Sequence, residues 1–281
     1  MKYLASRGLF FIHIPKCAGM SVRRALELPG EVDFGPVAAD LNLTPAEAAE
    51  VTERGRGFDH PSLGRIHPAH LPLAALRDAM PATWATLTGA RSFALTRPPR
   101  ARFVSALMQR LKEFKDAGAI RTDDPAVARE AAHVCDWLAT RSGPFTDIEY
   151  IHFARQVDFT DLDGARVVGA LFPVTRTDAL ADWIAAETGL SMTIAHDHAR
   201  RQPKGWAKGL QPAARFAGRR LMPRAIKRAL HPIWTRSGAF ADAAGGYGAL
   251  DLGAEVEAFV ADHYAADAAL HAEAEARVDA A

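Results

Sequence analysis

The sequence predicts a mostly parallel, doubly wound α/β sheet flanked by helices. Three runs carry that expectation: Leu9-Phe10-Phe11-Ile12-His13-Ile14, Ser92-Phe93-Ala94-Leu95-Thr96, and the stretch from Val167 to Val174. All are short, apolar and β-prone, as strands buried on both faces are. Each is followed by a turn and then by helix-start residues or helical spacing. Strands that alternate with helices pair in parallel through helical crossovers. With 281 residues, 49% hydrophobic and 24% charged, the chain can build one domain over residues 1–281 with a substantial core.

The remaining elements follow in order. Pro15 to Gly19 breaks the first strand, and a helix is expected from Met20 to Leu28, ended by Pro29-Gly30. Thr44-Pro45-Ala46-Glu47 is a helix start, with Thr44 as N-cap, Pro45 in the first turn and Glu47 closing a capping box; Gly55 and Gly57 stop that helix. Leu63 to Ile66 reads as a short strand and Leu71 to Met80 as a helix. Pro98-Pro99 opens a helix with Phe103, Leu107, Leu111 and Phe114 at apolar spacing. Residues 125–141 form an Ala-rich helix, and Thr177 to Glu187 a capped one ending at Gly189. Residues 199–236, interrupted by prolines at 203, 212, 223 and 232, read as short basic helices and turns. The last thirty residues read as one acidic, Ala-rich helix with Val256, Phe259, Val260 and Tyr264 on its core face.

The net charge of +1 conceals an asymmetry. Residues 196–236 hold eleven Lys/Arg and a single acid, Asp197, leaving 23 basic and 32 acidic residues elsewhere. A basic segment on an acidic chain points to an anionic ligand. Its aromatic residues are Trp206, Phe216 and Trp234, with no stacking motif, so nucleic acid is not the expected partner. No apolar run reaches the roughly 18 residues of a bilayer span. Leu9 to Ile14 is too short for a signal-peptide core. The expected compartment is the cytoplasm, with residues 199–236 available for peripheral contact with an anionic membrane. Two cysteines, Cys17 and Cys135, give no disulfide framework and no zinc-ligand spacing.

Two segments carry chemistry. Phe11 to Ser21 runs strand, tight loop, helix, and such a loop aims backbone N–H groups at an anion beside the positive end of the helix. Lys16 adds a full charge. A Walker loop is excluded, because Lys16 precedes Gly19 instead of following a longer glycine-rich loop. Phe93 to Ser105 is again strand, turn, helix. Arg97 stands at the carboxyl end of its strand, where open α/β sheets bind ligands, and offers a forked donor to a phosphate; Ser105 adds a hydroxyl from the next helix. Taken alone, Arg97 and Arg102 are ordinary surface charges or salt-bridge partners. The order of the two segments favours the functional reading for Arg97 and Ser105, while Arg100 and Arg102 remain as well explained by solvation.

Ile12-His13-Ile14-Pro15-Lys16-Cys17-Ala18-Gly19-Met20-Ser21 resembles the 5′-phosphosulfate loop of the sulfotransferases that use 3′-phosphoadenosine 5′-phosphosulfate (PAPS). The likeness is to the branch with heparan sulfate 2-O-sulfotransferases and bacterial carbohydrate sulfotransferases. Arg97, Pro99, Arg102 and Ser105 match that family's 3′-phosphate motif. The resemblance implies a P-loop-NTPase-like fold, PAPS as sulfuryl donor with no metal, and a hydroxyl-bearing acceptor, on a carbohydrate or glycolipid. It places Pro15, Lys16, Cys17, Ala18, Gly19, Met20, Ser21, Arg97 and Ser105 at the cofactor. Lys16 would act on the leaving group. His67-Pro68-Ala69-His70-Leu71-Pro72 is similar to the family segment that carries the base, with His70 at that position and a neutral-range side chain suited to it. His67, Arg201 and Lys204 are the substrate-side candidates; Arg201, Lys204 and Lys208 would contact the 3′-phosphate or an anionic acceptor, where a solvated basic face is the alternative. The chain has Cys17 and Met20 where the family usually has Thr, Pro98 where it has an acid, and Thr175 in place of another acid. His263-Tyr264-Ala265-Ala266-Asp267-Ala268-Ala269-Leu270 looks like the family's closing helix. His67 and His13 are rivals for the base, His13 being expected rather as a buried strand residue near the loop, and Cys17 is expected as a filler of loop space.

Two other readings stand beside this one. A nucleotide-dependent phosphotransferase also uses a strand–loop–helix anion site. A catalytically inactive nucleotide-binding protein would explain the departures at Cys17, Met20 and Thr175.

Overall fold

The computed structural model describes residues 1–28, 30–54, 57–114, 124–194, 201–203, 240–242 and 250–280, with the backbone alone at 201–203 and 240–242. The chain divides into two units, Met1–Ala195 together with Leu250–Ala281, and His196–Ala249.

The first unit is α/β, built on a four-stranded mixed sheet flanked by helices. Its strands are β1 (Lys2–Leu4), β2 (Leu9–Ile12), β5 (Arg91–Thr96) and β8 (Ala170–Pro173), adjacent in that order. β2, β5 and β8 are the three expected strands, and they pair in parallel, with Phe11 beside Phe93 and Leu95 beside Phe172. All four residues of β2 and of β8 are buried, which is why they read as unbroken apolar runs. Phe11 stacks on Phe93 at 5.1 Å, and Trp183 packs against both Phe93 and Phe172. β1 adds an antiparallel edge through a short turn to β2.

Between β2 and β5 lie α1 (Gly19–Ala25), α2 (Gly35–Leu41), α3 (Pro45–Glu53), the hairpin β3 (Phe58–His60) and β4 (Gly64–Ile66), α4 (Leu73–Ala79) and α5 (Pro81–Gly89). Between β5 and β8 lie α6 (Pro99–Phe114), α7 (Pro125–Ala139) and the two-residue strands β6 (Asp161–Leu162) and β7 (Ala165–Arg166). Then come α8 (Thr177–Thr188), α9 (Ala254–His263) and α10 (Ala265–Asp279).

Several expectations on element bounds change. α1 stops at Ala25, short of Leu28, because it is a seven-residue helix with its C-cap at Leu26. The run to Met80 is followed at once by a second helix: Pro81 restarts the backbone at a first-turn position, and Asp40 accepts from the Ala82 and Thr83 N–H groups at its open end. The closing helix is two helices, broken at Tyr264 (φ −106°, ψ 22°). Val256, Val260 and Tyr264 are buried as expected, while Phe259 is half-buried. α8 ends at Gly189 with φ 72°, the left-handed cap its sequence calls for.

In the second unit, β9 (Arg201–Pro203) and β10 (Phe240–Asp242) pair antiparallel. The expected short basic helices of 199–236 otherwise fall outside the described residues. Among those described, no helix is long and apolar enough to cross a membrane.

The capping box at α3 is fully formed. The Thr44 hydroxyl accepts from the Glu47 N–H, and the Glu47 carboxylate accepts from the Thr44 N–H at 2.8 Å. Thr44→Ala is expected to lower stability by about 1 kcal/mol in urea unfolding.

Candidate functional site

The loop after β2 is bent by two residues that ordinarily avoid such geometry. Lys16 and Ala18 have φ of 67° and 52°, and Cys17 between them does not share the left-handed conformation. Non-glycine residues in that region are held there by their surroundings, at a cost of order 1–3 kcal/mol each. A left-handed residue on either side of one that is not is the kind of backbone alternation from which anion nests are built. The Cys17 and Ser21 N–H groups close the turn, on the Ile14 and Ala18 carbonyls. Pro15, Cys17, Gly19 and Ser21 are buried, Lys16 and Ala18 half-buried, and Met20 is exposed.

Gly19 is required by packing. A Cβ there would lie 1.6 Å from His13 Nε2, so the imidazole occupies the space any larger residue would need. His13 is buried beside the loop, as its place at the end of the strand suggests.

Arg97 leaves the carboxyl end of β5, next to the end of β2, and its Nη1 donates to the Lys16 carbonyl at 3.2 Å. The two sequence segments, 81 residues apart, therefore meet. The Lys16 ammonium donates to Gln109 Oε1 on α6. Ser105 lies one turn before Gln109, so its half-buried side chain shares that face of α6.

Arg102 departs from the solvated reading, and Arg100 is a partly exposed salt-bridge partner. Arg102 is only 1% exposed; it donates to the carbonyls of His152 and Ala154 and lies over the Tyr264 ring. Arg100 is bidentate on Glu257 and also donates to the Leu250 carbonyl. Both brace the frame around the loop.

His70 sits in a cluster of four imidazoles. Its ring centroid is 4.3 Å from those of His13 and His67 and 5.6 Å from that of His152. His70 Nδ1 is 3.1 Å from the His13 carbonyl. A carbonyl accepts only, so Nδ1 carries the proton and Nε2 keeps the lone pair. Burial pushes the pKa of His13 and His70 well below the ordinary histidine value, His67 down to about 4, and His152 down to about 3 with the Lys16 charge adding to the effect. All four are neutral at pH 7. His13 Nδ1 and His67 Nδ1 are buried with no hydrogen-bond partner. Among the described residues, no three His, Cys, Asp or Glu side chains converge to hold a metal ion.

Burial raises the Cys17 thiol to about 12, so it is a packed, protonated group and not a nucleophile. Its Sγ is 3.3 Å from Gln156 Oε1, and that same oxygen accepts from the Arg97 N–H at 2.9 Å. Sequence reasoning missed Gln156, His152 and Gln109: each is an isolated polar residue in no motif. Asp267, which lay within the closing-helix resemblance, accepts from the Gln156 and Val157 N–H groups.

Arg201 lies on β9 in the second unit, and Lys204 and Lys208 fall outside the described residues. Thr175 is exposed on the turn after β8.

No protein-family model, no curated protein and no solved structure matches the chain, so its site is read from its own residues.

Two outcomes follow from this geometry. Gly19→Ala should cost about 1–3 kcal/mol by overpacking against His13, whereas Gly89→Ala, with open space at its Cα, should leave the thermal midpoint unchanged or raise it. His67 and His152 have native pKa values below the unfolded value near 6.5. The unfolded chain therefore binds more protons than the native one between about pH 6.5 and 4. Stability is full above pH 6.5 and falls as pH drops through that window, by about 1.4 kcal/mol per pH unit for each histidine. Urea unfolding at pH 7, 6 and 5 measures the slope, and replacing His152 with Gln should reduce it.

Proposed function

We propose that the chain is a sulfotransferase that moves a sulfuryl group from PAPS to an acceptor hydroxyl, of a carbohydrate or glycolipid, on a P-loop-NTPase-like, doubly wound fold. The observation that supports this best is the contact between Arg97 and the Lys16 carbonyl. It joins two anion-binding segments at the carboxyl ends of neighbouring parallel strands, where one nucleotide with phosphates at both 3′ and 5′ positions would span them. Its motifs resemble those of PAPS-dependent enzymes in the same order.

The residues fit such a ligand. The loop from Pro15 to Ser21, with its left-handed Lys16 and Ala18, would hold the 5′ anion. Arg97, with Ser105 on α6, would hold the 3′-phosphate. The bound nucleotide supplies the sulfuryl group and a phosphate leaving group.

Lys16 places a mobile positive charge beside the loop. Charge that builds on the leaving oxygen is stabilised there, in the manner of the lysine in phosphoryl transfer. The acceptor hydroxyl oxygen bonds to sulfur as the bond from sulfur to the phosphate oxygen breaks, and the hydroxyl proton passes to His70 Nε2. The Nδ1–H bond to the His13 carbonyl fixes the tautomer that leaves this lone pair free. His67 stands against the His70 ring, on the side proposed for substrate. With Cys17 and Met20 in place of Thr, the loop relies on backbone donors, Lys16 and Ser21.

Transfer of labelled sulfate from PAPS to a panel of hydroxyl-bearing sugars and glycolipids, with chelator present, tests the reading. Lys16→Ala should lower kcat by 10²-fold or more while changing nucleotide affinity far less. A fully active Lys16→Ala enzyme would remove its role on the leaving group. Arg97→Ala should weaken 3′-phosphoadenosine 5′-phosphate much more than adenosine 5′-phosphosulfate, as calorimetry would measure; equal losses would take Arg97 out of the 3′ site. Because burial holds His70 neutral well below the usual histidine range, kcat/KM should stay flat from pH 8 to pH 6.5 and fall only under more acid conditions.

A further inference from the structure

Gln156 is wholly buried in the short 3-10 turn that follows Arg155, and its side chain contacts both proposed phosphate segments. Its Oε1 accepts from the Arg97 N–H at 2.9 Å and from the Cys17 thiol at 3.3 Å. Its Nε2 donates to the Arg97 carbonyl at 2.8 Å. The amide can face only this way, because the Arg97 N–H must donate and the Arg97 carbonyl must accept.

The residue is itself held. The Asp267 carboxylate on α10, 0% exposed, accepts from the Gln156 N–H at 2.8 Å and from the Val157 N–H at 3.1 Å. A second bond from the same helix, His271 Nδ1 to the Thr96 hydroxyl at 2.8 Å, fixes the end of β5 one residue before Arg97. Arg102 grips the carbonyls at 152 and 154, so the segment entering Gln156 is tied to α6 as well.

We infer that Gln156 is a positioning residue that sets the spacing between the loop at Lys16–Ala18 and the Arg97 backbone, and so selects nucleotides with anions at both the 3′ and 5′ positions. This rests on the functional reading above. A ligand that reaches two subsites gains from the second only if their separation is fixed: loosening it lowers the effective concentration of the second group and leaves each single-site contact intact. A residue with only a general structural role would weaken every ligand alike.

The test is calorimetry of three ligands on wild type and Gln156→Met, which keeps the volume and removes all three side-chain bonds. The ligands are 3′-phosphoadenosine 5′-phosphate, adenosine 5′-phosphate and adenosine 3′-phosphate. The expected result is a loss of at least ten-fold for the bisphosphate, with less than three-fold change for each monophosphate. Should Gln156→Met fail to fold, Asp267→Asn, which weakens the hold on the Gln156 N–H, should give the same selective loss in smaller measure. Equal losses for all three ligands, or none for the bisphosphate, would overturn the inference while leaving the nucleotide site in place. Wild-type protein that does not distinguish the bisphosphate from the monophosphates would overturn the functional reading, and this inference with it.

Discussion

An amide side chain buried between two loops destabilises the fold unless its polar atoms are matched, and Gln156 meets that condition with both loops at once. The arrangement depends on Asp267, a buried carboxylate whose pKa burial raises even with Arg102 nearby and two N–H donors directed at it. α10 thereby anchors the turn that carries Gln156, and the turn anchors the two segments that approach at the carboxyl ends of β2 and β5. Three hydrogen-bonded steps, Asp267 to Gln156, Gln156 to Arg97 and Arg97 to the Lys16 carbonyl, connect α10 to the loop.

The electrostatics of the site follow from the same packing. Lys16 and Arg97 lie half-buried at one place, and the four imidazoles beside them are kept neutral by burial. Protonating the cluster would add positive charge to a region already positive, so burial and charge push its histidines in the same direction. One consequence is chemical: His70 presents a fixed tautomer with a free lone pair. Another is a stability that declines in acid.

Much of this was legible in the sequence. Buried parallel strands are apolar throughout, so β2, β5 and β8 announced themselves, and the Thr44–Glu47 box gave the first residue of α3. The edge strand β1 was missed because three residues, one of them Lys2, carry too little pattern; α5 was missed because Pro81 restarts a helix directly after another ends. Within the site, Lys16, Arg97 and His70 sat in recognisable strings. Gln156 and His152 did not, since their roles arise from tertiary contact with residues 50 to 140 positions away. For Arg102 the sequence supports a solvated or paired arginine as well as a motif residue, because arginines are usually exposed, and only the fold reveals the carbonyls that hold it inside.

The central claim is that the loop at Lys16 and the strand end at Arg97 form one site for a nucleotide with anions at both ends. Calorimetric titration of the wild-type protein with 3′-phosphoadenosine 5′-phosphate, free of metal and beside ATP with and without magnesium, tests it most directly. Tight metal-independent binding that requires the 3′-phosphate is the predicted result. Binding of ATP alone, and only with magnesium, would contradict the claim and make the chain a phosphotransferase; binding of neither would mean that the two segments meet for structural reasons only.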